Sequence, residues 1–181
     1  MKQILLVFLF LNTVTAFPQE NLKVKTGDDA IDFKLESIDG EIIELSEVGK
    51  NRNVVLIVLR GYPGYQCPIC SRQVGQFVSE AKSFDEKNAS VFLIYPGPSN
   101  QLEKYAGEFS QNFKFPENFH FALDPDYIMI NKYGLRWDAP KETAYPSTFV
   151  INKEGIIVYS RVSSTHGGRT SADEVLKVLD E

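Results

Sequence analysis

The sequence is poor in cysteine and in histidine, with two of each among 181 residues. The cysteines, Cys67 and Cys70, are separated by only two residues. A structural disulfide framework would use more cysteines at longer spacings, and a bond across so short a loop would constrain the unfolded chain little. We therefore expect this pair to carry chemistry rather than to hold the fold together.

Positive charge is also scarce, because 19 Lys and Arg stand against 24 Asp and Glu, a formal net charge of -5. The chain has no basic stripe or polybasic segment, which argues against nucleic acid or a membrane surface as a partner. It also has no internal repeat and no low-complexity tract. The length fits one domain, which we assign to residues 29–181 after a polar lead-in at residues 17–28.

The longest apolar run, residues 4–11, is far shorter than the ~20 residues that a membrane-spanning helix needs. Lys2 precedes it, and the small residues Val14-Thr15-Ala16 follow it, a pattern typical of a secretory signal peptide. We predict a signal peptide at residues 1–16, a periplasmic or secreted protein, and no stable membrane insertion after the signal is removed. A buried N-terminal helix or an uncleaved anchor is the weaker alternative.

Strand and helix patterns alternate along the rest of the chain. Residues 31–45 alternate apolar and polar side chains around Asp39-Gly40, which predicts a hairpin. Buried strands are predicted at residues 54–59 and 91–95, with an apolar helical stripe of Val74, Phe77, Val78, Ala81 and Phe84 between them. Further predictions are strands at 119–123, 147–151 and 156–160, a short helix at 127–133, and helices that begin with capping boxes at Asn100 with Glu103 and at Ser171 with Glu174. This order predicts an α/β layer fold with a βαβ core.

The segment Cys67-Pro68-Ile69-Cys70 lies between a predicted buried strand and an amphipathic helix. The first turn of a helix has unpaired N–H groups and the positive end of the helix dipole, and both favour a thiolate. Pro68 suits the first helical position, where its missing N–H is not needed. We predict a redox pair in which the second sulfur resolves the attack of the first, with no cofactor besides a Cys67–Cys70 disulfide. Two buried hydrophobic cysteines, or one half of a zinc site, are the alternative interpretations.

Two segments resemble signatures of a known family. Residues 54–74, with Leu59-Arg60-Gly61 and the cysteine segment, and residues 145–155 resemble the peroxiredoxin-like, alkyl hydroperoxide reductase/thiol-specific antioxidant (redoxin) family. The resemblance implies a thioredoxin-like three-layer α/β fold, with a central mixed β-sheet flanked by helices and an N-terminal β-hairpin extension. It also implies a cis peptide bond at Pro146, which would lie against the cysteines and turn the Tyr145 backbone toward them.

The resemblance leaves the roles of the two cysteines open. Thioredoxins use the first cysteine of such a pair as the nucleophile, which is Cys67. The peroxiredoxin pattern Pro-x-x-x-Thr/Ser-x-x-Cys, read from Pro63, makes Cys70 the nucleophile and puts Cys67 in the Thr place. Peroxiredoxins carry an Arg where this chain has Pro146, so we favour Cys67, with the lower pKa, as the attacking group.

The leading hypothesis for function is an extracytoplasmic thiol–disulfide oxidoreductase. The alternative is a thiol-dependent peroxidase, an antioxidant activity that would use the same cysteines. Either function needs protein thiols or disulfides or a peroxide as substrate, and a reducing thiol partner. A copper-binding module is a minor alternative, but such carriers tend to place three residues between their cysteines, and only His120 and His166 are available, so we predict no metal site.

Other residues are weighed as parts of the site. Tyr62, Tyr65 and Gln66 are expected to form either a substrate lip or ordinary surface packing. Candidates to lower a thiolate pKa are Arg60, Arg72 and Arg161. The segment His166-Gly167-Gly168-Arg169 places a His and an Arg in a glycine-rich loop, which suggests a catalytic role, but we favour the lead-in to the last helix, since only glycine flexibility and a cap are needed there. Trp137 is interpreted as a cover for either the site or the core.

Overall fold

The computed structural model describes residues 22–181, so the predicted signal peptide and the first part of the lead-in lie outside the described residues. The strands of this part of the chain are β1 (Lys34–Ser37), β2 (Ile42–Glu44), β3 (Asn53–Val58), β4 (Ala89–Gly97), β5 (Phe119–Pro125), β6 (Ser147–Ile151) and β7 (Ile157–Val162). The helices are α1 (Leu45–Gly49), α2 (Pro68–Ser79), α3 (Ala81–Glu86), α4 (Ser99–Ser110), α5 (Ile128–Tyr133) and α6 (Ala172–Val178). Over residues 22–181, no helix is both long and apolar enough to cross a membrane.

The seven strands described here form one mixed sheet in the order β2-β1-β5-β4-β3-β6-β7. The three central strands β3, β4 and β5 are parallel, and β6, β7, β1 and β2 extend the sheet on both sides by antiparallel pairing. The predicted N-terminal hairpin is present as β1 and β2, with Gly40 at a positive φ of 83° in its turn. The predicted mixed sheet is therefore confirmed.

Helices cover both faces of the sheet, which confirms the three layers. The side chains of β3 alternate: Val55 and Ile57 face a core shared with α2, α3, α4 and α6, whereas Val54 and Leu56 face a core shared with α1 and α5. Because a strand covered on both faces has no solvated side, all of β4 is buried, as the unbroken apolar sequence predicts. The cysteine pair belongs to the first of these cores.

The predicted helical stripe from Val74 to Phe84 is divided between two helices. The backbone leaves the α conformation at Glu80, which ends α2 and begins α3. The break lets both Phe77 and Phe84 turn into the core, where their rings stack with centroids 5.4 Å apart. The predicted apolar positions are therefore confirmed, but the prediction that they lie on one helix is wrong.

One of the two predicted capping boxes is present. Ser171 accepts the Glu174 N–H, and the Glu174 side chain accepts the Ser171 N–H, at the start of α6. The box predicted at Asn100 is wrong, because the N-cap of α4 is Pro98, two residues earlier, and Asn100 lies inside the helix. The Ser99 N–H is instead satisfied by the carboxylate of Asp126, which follows β5 and is remote in sequence.

The loop between β3 and α2 is fixed by the close approach of two backbones at Gly61. Gly61 has a φ of 69°, and a Cβ placed on it would lie 2.0 Å from the Pro96 carbonyl oxygen. Gly64, in the same loop, has a φ of 119°, but a Cβ placed on it would meet no atom of a non-neighbouring residue within 4 Å. Glycine is therefore required at residue 61 by both conformation and space, and at residue 64 by conformation alone.

We predict that Gly61→Ala destabilises the protein by about 3 kcal/mol, because a methyl group there displaces the Pro96 backbone. Gly64→Ala is the matched control and should cost about 1 kcal/mol, the cost of the positive φ alone. Urea denaturation of both variants measures the difference. Equal losses of stability in the two variants would contradict the proposed backbone contact.

Candidate active site

The two cysteines lie at the start of α2. Cys67 is the residue before the helix, Pro68 is its first residue, as predicted, and Cys70 lies in its first turn. The Ser71 N–H donates to the Cys67 carbonyl oxygen at 3.1 Å, which closes the first turn. Both cysteines are free thiols and are largely covered, with exposed fractions of 3% for Cys67 and 1% for Cys70. Pro68, which lies between them in the sequence, is exposed, so the surface next to the pair is the start of α2.

The Cys67 sulfur is placed to be a thiolate. The neighbouring Cys70 thiol is the largest cause lowering the pKa of Cys67 to about 5, against the opposing effect of burial. The backbone N–H groups of Cys70 and Ile69 and the positive charge of Arg169 lower this pKa further. These are the unpaired amides of the first helical turn, so the sequence-based argument for the helix start applies directly.

Cys70 has the opposite tendency. The neighbouring Cys67 sulfur, together with deep burial, raises the pKa of Cys70 well above its usual value. Two groups act against that rise, the Arg169 guanidinium and the backbone N–H of Arg60. Cys70 is thus a protonated partner at neutral pH, with donors in place to receive a negative charge once Cys67 is consumed.

Arg169 is a site residue that sequence reasoning misjudged, since its segment was interpreted as a lead-in to α6. Its Nη2 donates to the Cys70 Sγ at 3.1 Å, and its Nη1 donates to the Gln73 Oε1 at 2.9 Å. The Gln73 amide in turn donates to the Thr170 carbonyl oxygen at 3.1 Å, which ties the segment to α2. The sequence does show an arginine shortly before the last helix. That this helix packs against α2, which brings Arg169 to the cysteines, cannot be predicted from local sequence.

Arg60 does not contact a sulfur with its side chain. Its guanidinium is 3% exposed and donates to Glu142 Oε2 at 3.0 Å, to the Tyr65 hydroxyl at 2.5 Å and to the Lys141 carbonyl oxygen at 2.5 Å. The other two candidate arginines lie elsewhere: Arg72 is exposed on α2, and Arg161 pairs with Glu174 at 3.1 Å. Arg60 therefore ties the loop before α2 to the segment around residue 142.

The residues proposed as a substrate lip have mixed roles. Gln66 is held inward, where it accepts from the Tyr95 hydroxyl at 2.9 Å and donates to the Tyr105 carbonyl oxygen at 2.8 Å. Tyr62 stacks on Tyr105 with ring centroids 3.5 Å apart. Tyr65 is 48% exposed and lies over Arg60, and Pro63 is half-buried beside it. Of the three predicted lip residues, Tyr65 is exposed, whereas Tyr62 and Gln66 are half-buried, so the lip is narrower than expected.

The prediction of a cis peptide bond at Pro146 is wrong, because the peptide bonds of residues 22–181 are all trans. The Tyr145 N–H donates to the Leu135 carbonyl oxygen and the Ser163 N–H donates to the Pro146 carbonyl oxygen, both at 2.9 Å. These contacts hold the backbone on both sides of the Tyr145–Pro146 bond, and the bond takes the trans form, which is the more stable form of a peptide bond before proline. The Tyr145 amide is thus used within the fold and does not face a substrate, while the Tyr145 ring stacks on Trp137 at 4.7 Å.

The arrangement supports two-electron thiol chemistry. An activated sulfur, a protonated second sulfur and a guanidinium for the second sulfur are present within one turn of a helix and one adjoining loop. Within the described residues, no group of three or more His, Cys, Asp and Glu side chains is arranged to hold a metal ion. His120 lies against the Phe92 ring and His166 contacts Glu142, so the copper-binding alternative gains no support.

The family follows from comparison with known sequences. The model of the AhpC/TSA family matches residues 26–160, which is most of the described chain. The chain belongs to the AhpC/TSA family. This agrees with the resemblance seen in the cysteine segment and in residues 145–155, and with the thioredoxin-like architecture.

Relatives of two kinds are similar to the chain. Thiol-disulfide oxidoreductase ResA of Halalkalibacterium halodurans is 27% identical over 135 residues, covering 74% of this chain and 66% of ResA. Peroxiredoxin Bcp of Bacillus subtilis is 27% identical over 144 residues, covering 76% of this chain and 84% of Bcp. The crystal structure of peroxidoxin BcpB from Mycobacterium tuberculosis superposes with a TM-score of 0.65 at 25% identity, covering 86% of this chain and 96% of that one. The protein is therefore a thiol-based oxidoreductase of the thioredoxin fold.

We predict that the reduced protein reacts with iodoacetamide at Cys67 before Cys70. Because only the thiolate attacks, the rate should rise with pH through about 5 and level off toward neutral pH. Arg169→Met should move the rise to higher pH, since the guanidinium lowers the pKa of both cysteines. Peptide mapping by mass spectrometry identifies the labelled sulfur.

Arg72→Met is the control for this experiment, because Arg72 lies on the same helix but is exposed. Its profile should match that of the unchanged protein. First labelling at Cys70, or the same profile in the Arg169 and Arg72 variants, would contradict the assignment.

Proposed function

We propose that the protein is a thiol–disulfide oxidoreductase in which Cys67 attacks and Cys70 resolves. The observation that carries this proposal is the position of the pair: Cys67 is the residue before α2 and Cys70 lies in the first turn of that helix, so the two sulfurs differ in their surroundings. The neighbouring Cys70 thiol and the first-turn amides lower the pKa of Cys67 to about 5. An attacking sulfur must be a thiolate, and a resolving sulfur must be held back until it is needed. The similarity to ResA, whose name states this activity, supports the same function.

The reaction proceeds in two exchange steps. The Cys67 thiolate attacks one sulfur of a substrate disulfide, which forms a mixed disulfide and releases the other substrate sulfur as a thiolate. Cys70 then loses its proton to that leaving thiolate or to solvent, and attacks the Cys67 sulfur. The second substrate sulfur leaves, so the substrate gains two electrons and the protein holds a Cys67–Cys70 disulfide. A reducing dithiol partner restores the pair, and the same steps in reverse oxidise a dithiol substrate.

The surrounding residues have distinct parts in this proposal. Arg169 stabilises the negative charge that forms on Cys70 in the second step, because its Nη2 already contacts that sulfur. Pro68 begins the helix, and Gln66 and Pro63 shape the loop that precedes it. Tyr65, beside the pair and half exposed, is the side chain best placed to contact a substrate. No cofactor other than the Cys67–Cys70 disulfide takes part.

A peroxidase is the second candidate, and the contact between Arg169 and Cys70 favours it. In that reaction the Cys70 thiolate attacks one peroxide oxygen, and a proton goes to the leaving oxygen to release water or an alcohol. The sulfenic acid on Cys70 then condenses with the Cys67 thiol, which forms the disulfide and water. A guanidinium at Cys70 would stabilise both the thiolate and the leaving oxygen, and the similarity to peroxiredoxin Bcp supports this candidate.

We also propose that the protein is exported, on the basis of the apolar run at residues 4–11 and the small residues that end at Ala16. Export would place the pair where disulfides persist and where disulfide exchange has substrates. Intact mass spectrometry of the protein from its native host should find a chain that begins near Phe17. A mature protein that retains residues 1–16 would contradict this proposal.

The central test uses the two single cysteine variants with insulin as a disulfide substrate and with hydrogen peroxide. We predict that Cys70→Ser accumulates a mixed disulfide between Cys67 and insulin, because the resolving sulfur is absent. Cys67→Ser should lose insulin reduction completely. The double variant Cys67→Ser/Cys70→Ser is the control and should form no adduct. Peroxide consumption by Cys67→Ser, with sulfenic acid on Cys70, would make the protein a peroxidase instead.

A further inference from the structure

A second polar cluster lies behind the site and takes no direct part in the chemistry described above. Glu142 is its centre, with a side chain only 15% exposed. One carboxylate oxygen accepts from Arg60 Nε at 3.0 Å, and the other is 3.1 Å from His166 Nε2. These two contacts pair both oxygens of the Glu142 carboxylate. Burial of an unpaired carboxylate would be costly, so both contacts help to keep Glu142 in this place.

The ring of His166 is held in a defined orientation. It stacks on Trp137 with centroids 5.3 Å apart, and its Nε2 points at Glu142. Its Nδ1 is buried and has no hydrogen-bond partner among the described residues. A proton on Nδ1 would be left unsatisfied, so the favoured neutral tautomer carries its proton on Nε2 and donates it to Glu142.

The backbone of His166 connects this cluster to the cysteines. The His166 carbonyl oxygen accepts from Arg169 Nε at 3.2 Å, and the same guanidinium donates to the Cys70 Sγ at 3.1 Å. Arg169 lies three residues after His166 in a loop that contains Gly167 and Gly168 and that has little stiffness of its own. The ring of His166 therefore anchors this carbonyl and helps to hold the guanidinium, whose Nη1 is also held by Gln73 Oε1.

We propose that His166 is a positioning residue that holds Arg169 on Cys70 through the Glu142 contact, and so sets how readily Cys70 becomes a thiolate. The loop then has an anchor at each end of the arginine, His166 on Glu142 and Gln73 on Thr170. Without the His166 anchor the guanidinium keeps only its contact with Gln73 Oε1, so Arg169 is held less firmly against the sulfur. The role does not depend on the substrate, because both disulfide exchange and peroxide reduction require the Cys70 thiolate.

The test measures Cys70 directly in a Cys67→Ala background, where the neighbouring sulfur that most strongly raises the pKa of Cys70 is removed. The ultraviolet absorbance of the thiolate is followed as pH is raised. His166→Asn and His166→Ala, which do not reach Glu142, should lower the thiolate fraction at a fixed pH about tenfold, the effect of losing one charge-assisted hydrogen bond. His166→Gln, whose amide replaces the Nε2 donor, should restore most of it.

Two controls separate positioning from general damage to the fold. His120→Gln changes the other histidine, which lies on β5 against Phe92, and should leave the titration unchanged. In an Arg169→Met background, His166→Asn should have no further effect, because His166 acts through that arginine. Both His166→Asn and His166→Ala are made, so that the test can be carried out if only one of them folds, as verified by circular dichroism.

An unchanged thiolate fraction in the folded truncation variants would overturn the proposal. So would an effect of His166→Asn that persists in the Arg169→Met background, or a loss of thiolate in His166→Gln as large as in His166→Asn. Because these titrations use no substrate, their outcome is independent of whether the insulin experiment supports disulfide exchange or peroxide reduction.

Discussion

The position of the two cysteines at the start of α2 is the constraint on which the chemistry of this protein depends. The surroundings at the helix start lower the pKa of Cys67 and raise the pKa of Cys70, so Cys67 loses its proton first. Cys67 precedes the helix beside the amides of the first turn and becomes the thiolate, whereas Cys70 is more deeply buried within that turn and keeps its proton. Removal of either sulfur changes the charge of the other, so the pair titrates as a unit rather than as two independent groups.

The fold supplies this arrangement through elements that are rigid for other reasons. Strand β3 is covered on both faces and ends at a loop that Gly61 packs against the backbone of Pro96. Arg60, the residue before that glycine, uses its backbone N–H on Cys70 and its side chain on Glu142. A buried ion pair of this kind contributes little net stability, but removal of one partner typically costs about 3–5 kcal/mol, so the pair is best understood as a device that fixes position.

Structural features that depend on a local sequence pattern were predicted correctly. The apolar runs of β3 and β4, the hairpin at Gly40, the capping box at Ser171 and the start of α2 at Pro68 all agree with the structure. Features that depend on distant residues were not predictable in the same way. The carboxylate that caps α4 comes from Asp126, and the trans peptide at Pro146 is held by contacts to Leu135 and Ser163. Arg169 and Cys70 are 99 residues apart in the chain, and they meet because α6 packs against α2.

The most direct test of the central claim is a pH titration of both cysteines by NMR, with the Cβ carbons labelled with carbon-13 in the reduced, unmodified protein. The two resonances report the charge on each sulfur separately. The account predicts that the Cys67 resonance shifts around pH 5 and that the Cys70 resonance shifts only in the alkaline range. A Cys70 resonance that titrates first would contradict it and would make Cys70 the attacking sulfur.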